Sequence, residues 1–483
     1  MTFLGIDLGT SGLRALLIDA QGVPVGSASS AYTSEHPHDG WSEQDPQVWT
    51  RALDLAVAEL SATHPEFCDL QGIGVAGHMH GATLLDANDQ VLRPCILWND
   101  MRAAGQARAL DTMAGVRAVS ANIVFAGFTA PKLAWVAEHE PEVFGKTAKV
   151  LLPAAFLIHH LTGRYVTDMS DSAGTAWLDV GARAWSDDLL KAGGMRRDQM
   201  PDLVEGSDAA GHLRADIAAA WGLTRPVVVA GGAGDNAAAA CGIGAVSEGQ
   251  GFVSLGTSGV VLVARDGFAP APDAAVHTFC HAVPDKWYQM GVMLAATQSL
   301  NWLSSITGKS PAELTTALGS ELRAPSSLRF YPYLSGERTP HNDADIRAGF
   351  TGIGAATTTE DMTQAVLEGV AYGLRDSLEA LRSSGARIDQ LMAIGGGAAS
   401  AYWLKLIATV FDVPLAVPTG AEFGAAMGAA RLGLLAATGK APSAVLHPPE
   451  VQRVIASDPE LVREFDHGYR RFRANFGALK ALT

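Results

Sequence analysis

Apolar, β-prone residues fill positions 2–7 and return at 13–19, with the turn Gly9-Thr10-Ser11-Gly12 between them. Two apolar runs split by a glycine-containing turn predict a β-hairpin. Residues 22–33 predict a third strand. Asp45-Pro46 reads as a helix start, because Asp caps free N–H groups and Pro fits the first turn. Over 47–62 the apolar residues Val48, Ala52, Leu55, Ala56 and Leu60 recur on one helical face. Strand patterns follow at 72–76, 82–85 and 91–97, the last two flanking turn residues 86–89. In mid-chain the strand 226–230 leads through a glycine loop into an alanine-rich helix from Asn236.

The opening pattern then returns at 249–264. Leu255-Gly256-Thr257-Ser258-Gly259 repeats Leu8-Gly9-Thr10-Ser11-Gly12, again between strand-like runs and about half a chain away. An amphipathic helix over 360–381 is ended by Gly385. A strand at 391–394, the loop Gly395-Gly396-Gly397 and a helix at 399–411 follow. Strands and helices alternating in each half predict an α/β fold in two domains, 1–247 and 248–483, joined near 245–250. No low-complexity linker separates them, which predicts closely packed halves.

Composition narrows the function. Of 483 residues, 48% are hydrophobic and 18% charged, against about 25% charged in typical globular proteins. Such a chain has much interior and is not disordered. A net charge of −15 argues against nucleic acid, whose phosphates need a basic face. Cys68, Cys95, Cys241 and Cys280 are scattered and form no CxxC, so neither a disulfide framework nor a cysteine zinc site is expected. Asp7 interrupts the apolar start, and no export signal is visible. The uncharged stretch 287–308 is long enough to span a membrane. It carries Gln289, Thr297, Gln298, Ser299, Asn301, Ser304 and Ser305, which predicts a buried helix of a soluble protein instead. The expectation is a cytoplasmic protein with neither membrane nor nucleic acid as partner.

Three glycine-rich turns, 9–12, 256–259 and 395–397, are candidate phosphate cradles. Glycine permits close backbone approach, converging N–H groups bind the anion, and Thr and Ser add uncharged donors. Two such hairpins from two domains could clamp one triphosphate, and the bland alternative is three tight turns. Gly145-Lys146-Thr147 and Gly308-Lys309-Ser310 resemble P-loop endings, but Glu140 and Leu303 stand where the leading glycine belongs. Gly72-x-Gly74-x-x-Gly77 and Gly232-x-Gly234-x-x-Ala237 fit the dinucleotide fingerprint. The first leads into a strand-like run, and the second into a hairpin without a ribose-binding acid. Histidines 277 and 281 face away from Cys280 on a strand, which argues against a metal site there.

Asp235 sits after a strand, in a glycine-rich turn, at a helix start. It is either a general base for phosphoryl transfer or an N-cap. Asp7, also at a strand end, either orients a magnesium-bound water or caps the turn. Gly77-His78-Met79-His80-Gly81 suits a pocket wall.

A family resemblance gathers these residues. Gly127-Phe-Thr-Ala-Pro-Lys132-Leu-Ala-Trp135-Val-Ala-Glu138-His139 resembles the first signature of the FGGY carbohydrate kinases. Ala348-Gly-Phe-Thr-Gly352-Ile353 with Asp361-Met-Thr-Gln-Ala365-Val-Leu-Glu368 resembles the second. Within that family the xylulokinases are most similar, through Trp41-Ser-Glu-Gln-Asp-Pro46, Met79-His-Gly-Ala-Thr-Leu-Leu-Asp86, Leu97-Trp-Asn-Asp100, Asp168-Met-Ser-Asp171 and Ser335-Gly-Glu-Arg-Thr-Pro-His-Asn342. The resemblance implies two actin-like ATPase (ribonuclease H-like) domains flanking a central cleft, the first binding sugar and the second ATP. It implies ATP and Mg2+ as cofactors and D-xylulose phosphorylated at its 5-hydroxyl. Asp235 would be the general base and Asn236 would contact sugar. Met79 and His80 would line the sugar pocket, with Asp100 and Trp41 near it. Gly9, Thr10 and Ser11, with Gly256, Thr257 and Ser258, would form the phosphate hairpins, and Gly396 and Gly397 would lie against the adenosine. Asp7 is the candidate metal residue. The loop Gly231-Gly232-Ala233-Gly234 is one residue longer than the form typical of close relatives, and Ala401 replaces a polar residue of some family kinases. A sister kinase for ribulose, gluconate or glycerol and a non-catalytic nucleotide-binding module are the alternatives. A homodimer is left open.

Overall fold

Thr2–Leu8 and Gly12–Asp19 pair antiparallel, Thr2 opposite Asp19 and Leu8 opposite Leu13, so the first predicted hairpin forms. The computed structural model that shows this describes residues 1–420 and 423–482. Pro24–Ala31 adds antiparallel to the second strand. On the other side of the first strand, Leu70–Gly77 runs parallel to it, and Val228–Ala230 runs parallel to that. Parallel neighbours need a crossover, which the helix Gln47–Thr63 supplies between Pro24–Ala31 and Leu70–Gly77.

The second half repeats this order. Gly251–Leu255 pairs antiparallel with Gly259–Arg265, which pairs antiparallel with Trp287–Met293. Leu391–Ile394 then runs parallel to Gly251–Leu255, and Leu415–Pro418 parallel to Leu391–Ile394. The two Leu-Gly-Thr-Ser-Gly segments therefore occupy the same turn of two sheets with the same order of strands.

The uncharged stretch 287–308 is not one buried helix. It is the strand Trp287–Met293 followed by the helix Thr297–Thr307. Aromatic and β-branched residues favour the strand, and its backbone groups pair with Gly259–Arg265 on one side and His277–Cys280 on the other. Among the described residues no helix is long and apolar enough to cross a membrane.

One helix crosses the halves. Between Leu415–Pro418 and Val451–Ile455, both in the second sheet, the chain returns to the first sheet as the helix Gly424–Thr438. Small residues bring its backbone against that sheet. A Cβ on Gly5 would lie 1.9 Å from the Ala426 carbonyl oxygen, and one on Gly74 would lie 1.9 Å from that of Ala429. The helix Asp235–Gly242 packs beside it, with Ala237, Ala238, Ala240 and Cys241 in the same core as Ala426, Ala429 and Ala430. The glycine and alanine content thus has a packing reason.

Candidate active site

Parallel strands end together, and their carboxyl ends are where ligands of open α/β sheets bind. Asp7 pairs with Ala76 and Leu8 with Gly77. Ala233 and Gly234 pair with the same Ala76 and Gly77. Register alone therefore gathers Asp7, His78-Met79-His80 and Asp235 at one edge. A Cβ on Gly234 would lie 2.9 Å from Met79 Cγ, so Asp235 follows directly on the wall that Met79 forms. The second half reaches the same place, since Tyr288 Oη lies 3.8 Å from Met79 Sδ.

Gly234, not Asp235, is the N-cap of the helix Asp235–Gly242, and no side chain caps that end. Asp235 Oδ1 accepts from Asn236 N (2.7 Å) and Asn236 Nδ2 (2.9 Å). Burial pushes Asp235 up to about 6, against those two hydrogen bonds. Burial, with the Asp235 charge second, pushes Asp7 up to about 7, and Arg14 across the hairpin opposes this. Two further carboxyl groups sit behind them. Asp168 caps the short helix Met169–Ser172 and is pushed up to about 7 by burial. Asp171 is held well above the usual carboxylate range by burial and then by Asp168 and Asp235. Among the described residues neither Asp171 oxygen has a hydrogen-bond partner. A base poised near 6 accepts a proton well at neutral pH.

His80 is fixed on every side. Its φ is 70°, and its ring stacks on Phe128 at 4.7 Å. Nδ1 lies 2.7 Å from the Gly174 carbonyl oxygen. A carbonyl only accepts, so Nδ1 carries the proton and Nε2 is left as an acceptor for a hydroxyl. Burial and then the Lys132 charge hold the ring neutral. Lys132 is fully buried, and its Nζ donates to the carbonyls of His80 (2.8 Å) and Gly127 (2.7 Å). The lysine of the 127–139 motif is thus a floor under the pocket. Burial brings its amine down to about 7.

A stability prediction follows for Lys132. Its folded pKa lies below the unfolded 10.5, so the unfolded chain binds the extra proton between pH 7 and 10.5. Stability from this group rises with pH across that window, by at most about 1.4 kcal/mol per unit. Lys132→Met leaves the buried Gly127 carbonyl without a donor and the His80 carbonyl with only Thr129 Oγ1 (3.2 Å), and should cost about 1–3 kcal/mol at pH 7. Its cost should grow between pH 7 and 9 because only the wild type gains there. Urea melts at both pH values check this, and a shrinking difference would refute it.

Asp100 and Trp41 form an ion-paired layer, and the Asp100 charge acts on Lys132, the donor beneath His80. Asp100 Oδ2 accepts from Ser42 N (2.6 Å) and Arg102 Nη2 (2.7 Å), and Oδ1 accepts from Arg102 N and Nε, both at 2.9 Å. The Arg102 guanidinium lies 3.6 Å from the centre of the Trp41 ring, which meets Trp135 edge-on. Both Asp100 oxygens are thereby engaged within the protein.

The glycine hairpins turn their carbonyls inward. Gly9 O accepts from Tyr32 Oη (2.7 Å), Thr10 O from Gln44 Nε2 (2.7 Å), and Thr10 Oγ1 from Trp98 Nε1 (3.1 Å). In the second hairpin Gly256 O accepts from Thr297 N and Oγ1, and Thr257 O from Ala296 N and Gln298 N. Among the described residues the N–H groups of Thr10, Ser11, Thr257 and Ser258 donate to no protein acceptor. Outward N–H groups on glycine turns are what a bound phosphate needs. Gly395, at φ 86°, lies against the same hairpin, where a Cβ would come within 2.9 Å of the Leu255 backbone. Beside Gly396 and Gly397 opens a cavity of about 890 Å³, lined also by Leu300, Asn301, Ala401 and Tyr402. That is ample for a nucleoside.

The structure brings together Asp7, Met79, His80, Asp235 and Asn236, and separately groups 256–258 with 396–397. Sequence reasoning singled out neither Asp171 nor the burial of Lys132. Their only signal was membership of the 168–171 and 127–139 motifs.

Two sheets of one strand order, each with a glycine hairpin at its ligand edge, and a buried carboxylate beside one of them define a two-domain phosphotransferase of the actin-like ATPase class. The model of the FGGY family of carbohydrate kinases, N-terminal domain, matches residues 2–242, and that of the C-terminal domain matches 251–437. The "Xylulose kinase" of Escherichia coli (strain K12) is 44% identical over 95% of this chain and 96% of its own. That of Klebsiella pneumoniae is 43% identical over 99% of each. The crystal structure of a "xyloylose kinase" from Brucella ovis superposes with a TM-score of 0.98 at 55% identity, covering 100% of both chains. The chain belongs to the FGGY family of carbohydrate kinases and is an ATP-dependent sugar kinase.

Proposed function

We propose that this kinase transfers the γ-phosphoryl group of ATP to the 5-hydroxyl of D-xylulose. The observation that carries the reading is the 44% identity, over 95% of the chain, to a protein named xylulose kinase. Asp235 takes the hydroxyl proton as the sugar oxygen bonds to phosphorus, while the bond from phosphorus to the bridging oxygen breaks and ADP leaves. Met79, His80 and Asn236 hold the sugar, with His80 Nε2 accepting from a hydroxyl. Gly9, Thr10, Ser11, Gly256, Thr257 and Ser258 bind phosphates through backbone N–H groups, and Gly396 and Gly397 face the adenosine. Residues 1–247 carry the sugar site and 248–483 the nucleotide site. Closure of the cleft expels water that would otherwise compete as acceptor.

A divalent ion, which we take to be Mg2+, would neutralise charge on the phosphate oxygens. Among the described residues no three His, Cys, Asp or Glu side chains are grouped to hold a metal. That suits an ion carried mainly by phosphates, with Asp7 beside it, since a carboxyl raised to about 7 by burial and Asp235 regains its acidity near a cation. The compartment we assign is the cytoplasm, where ATP is held.

ADP release by the full chain, with D-xylulose, D-ribulose, gluconate and glycerol, with and without Mg2+, tests the reading. D-Xylulose should be strongly preferred, with the product's phosphate on carbon 5 by NMR. Release without sugar, or preference for another acceptor, would overturn it.

A further inference from the structure

The segment 335–342 of the second half lies against the edge of the sugar pocket. Thr339 N donates to Val292 O (3.0 Å), and Val292 N donates to Thr339 Oγ1 (3.0 Å). Glu337 Oε1 accepts from Leu294 N (3.2 Å) and from Arg338 N (2.7 Å). Glu337 is thus turned into the protein, and burial pushes its carboxyl up to about 8. At neutral pH it is mostly an uncharged acid, so it leaves the adjacent Arg338 charge largely uncompensated.

Arg338 points the other way. Its guanidinium carbon lies 5.1 Å from the ring centre of Phe125, a residue of the first half. Among the described residues the half-buried guanidinium has neither an ion pair with a carboxylate nor a hydrogen bond. Phe125 meets Phe128 edge-on at 5.7 Å, and Phe128 stacks on His80. Phe125 also tilts over His277 at 5.0 Å. The Arg338 charge depresses the pKa of both His80 and His277, behind burial as the main cause. Through Phe125 and Phe128, Arg338 stands on the His80 side of the pocket.

We propose that Arg338 is a specificity-determining residue of the sugar site, donating from the second half to the end of the sugar remote from the hydroxyl that Asp235 deprotonates. This rests on the ketose reading above. A 2-ketose presents two adjacent oxygens there, the 1-hydroxyl and the 2-carbonyl. The planar guanidinium fork matches such a pair, whereas an ammonium does not. A polyol of the same length offers instead a tetrahedral 2-hydroxyl, which also accepts but lies off the plane that the fork matches. Because the donor comes from the half opposite His80, sugar binding also draws the halves together.

Calorimetric titration of D-xylulose and xylitol into the wild type, Arg338→Met and Arg338→Lys tests this, alongside sugar and ATP KM values and melting temperature. Losing a charged hydrogen bond should weaken ketose binding about 10–100-fold. Arg338→Met should do so with ATP KM within about threefold of wild type and an unchanged melt, and should narrow the preference for ketose over polyol by a similar factor. Arg338→Lys should fall between. Ketose affinity within about threefold of wild type in Arg338→Met, or an unchanged ketose-to-polyol ratio, would overturn the proposal, as would a lowered melt explaining the whole effect. If the wild type preferred another acceptor in the ADP assay, the ketose reading would fail separately. Arg338→Met titrated with that acceptor would then decide whether Arg338 touches sugar at all.

Discussion

Asp235→Asn should lower kcat by about 10²–10⁴-fold, the usual range for a positioned general base, with ATP affinity unchanged. Asparagine keeps the shape and keeps Oδ1, which accepts from Asn236 N and Nδ2. Only proton acceptance is lost. The wild-type rate should fall as pH drops through about 6, the value to which burial raises the carboxyl, because the base must be ionised. The variant should lack that limb. Stability moves oppositely. A carboxyl whose folded pKa exceeds its unfolded 3.8 binds a proton in the folded state first, so its cost is absent below about 3.8 and full above about 6. Asp235→Asn should therefore be more stable than wild type at pH 7, by about 1–3 kcal/mol. A slow but stabilised variant separates lost chemistry from lost folding, and near-normal turnover would remove Asp235 from the base role.

What could be read from the chain was what is local. Each hairpin announces itself by a glycine turn between apolar runs, and the repeated Leu-Gly-Thr-Ser-Gly marks equivalent turns of two like sheets. The position of Asp235 followed from strand, loop and helix signals in one short window. Distant partners were not legible. Lysine is almost never fully buried, so nothing in the 127–139 motif predicts that Lys132 lies beneath His80. Asp100 looks available in sequence, yet Arg102, two residues on, occupies both its oxygens. The absence of charge in 287–308 hid a change of period, and tertiary pairing made its first part a strand. Arg338 showed only as one letter of a motif, because its meaning depends on Phe125 in the other half.

The packing of Gly424–Thr438 is the least local feature, and it carries the second large prediction. A Cβ on Gly428 would lie 1.7 Å from the Ala238 carbonyl oxygen and 2.6 Å from its carbon. Gly242 is also too close on the reciprocal side, where a Cβ would lie 2.6 Å from Gly424 O. Backbone meets backbone, so no side chain can turn aside. In an ordinary helix interior Gly→Ala gains about 1 kcal/mol. Here the helices must part by about 1 Å or more to restore normal contact, and overpacking of this kind costs about 1–3 kcal/mol. The helix that gives way is Asp235–Gly242, whose first residue is Asp235. Its far end is pinned, since buried Arg431 donates to Cys241 O (3.2 Å) and His447 O (3.0 Å). A push at Ala238 is thus relieved toward Asp235, and about 1 Å of misplacement costs about 10²-fold in rate. Gly428→Ala should melt lower and lose about 10²-fold in kcat. Gly105→Ala, at an exposed position of the helix Ala104–Asp111 where a Cβ meets nothing within 4 Å, should gain up to about 1 kcal/mol and keep full activity. If Gly428→Ala behaved like Gly105→Ala, the two helices would not be in the contact that holds Asp235 in place.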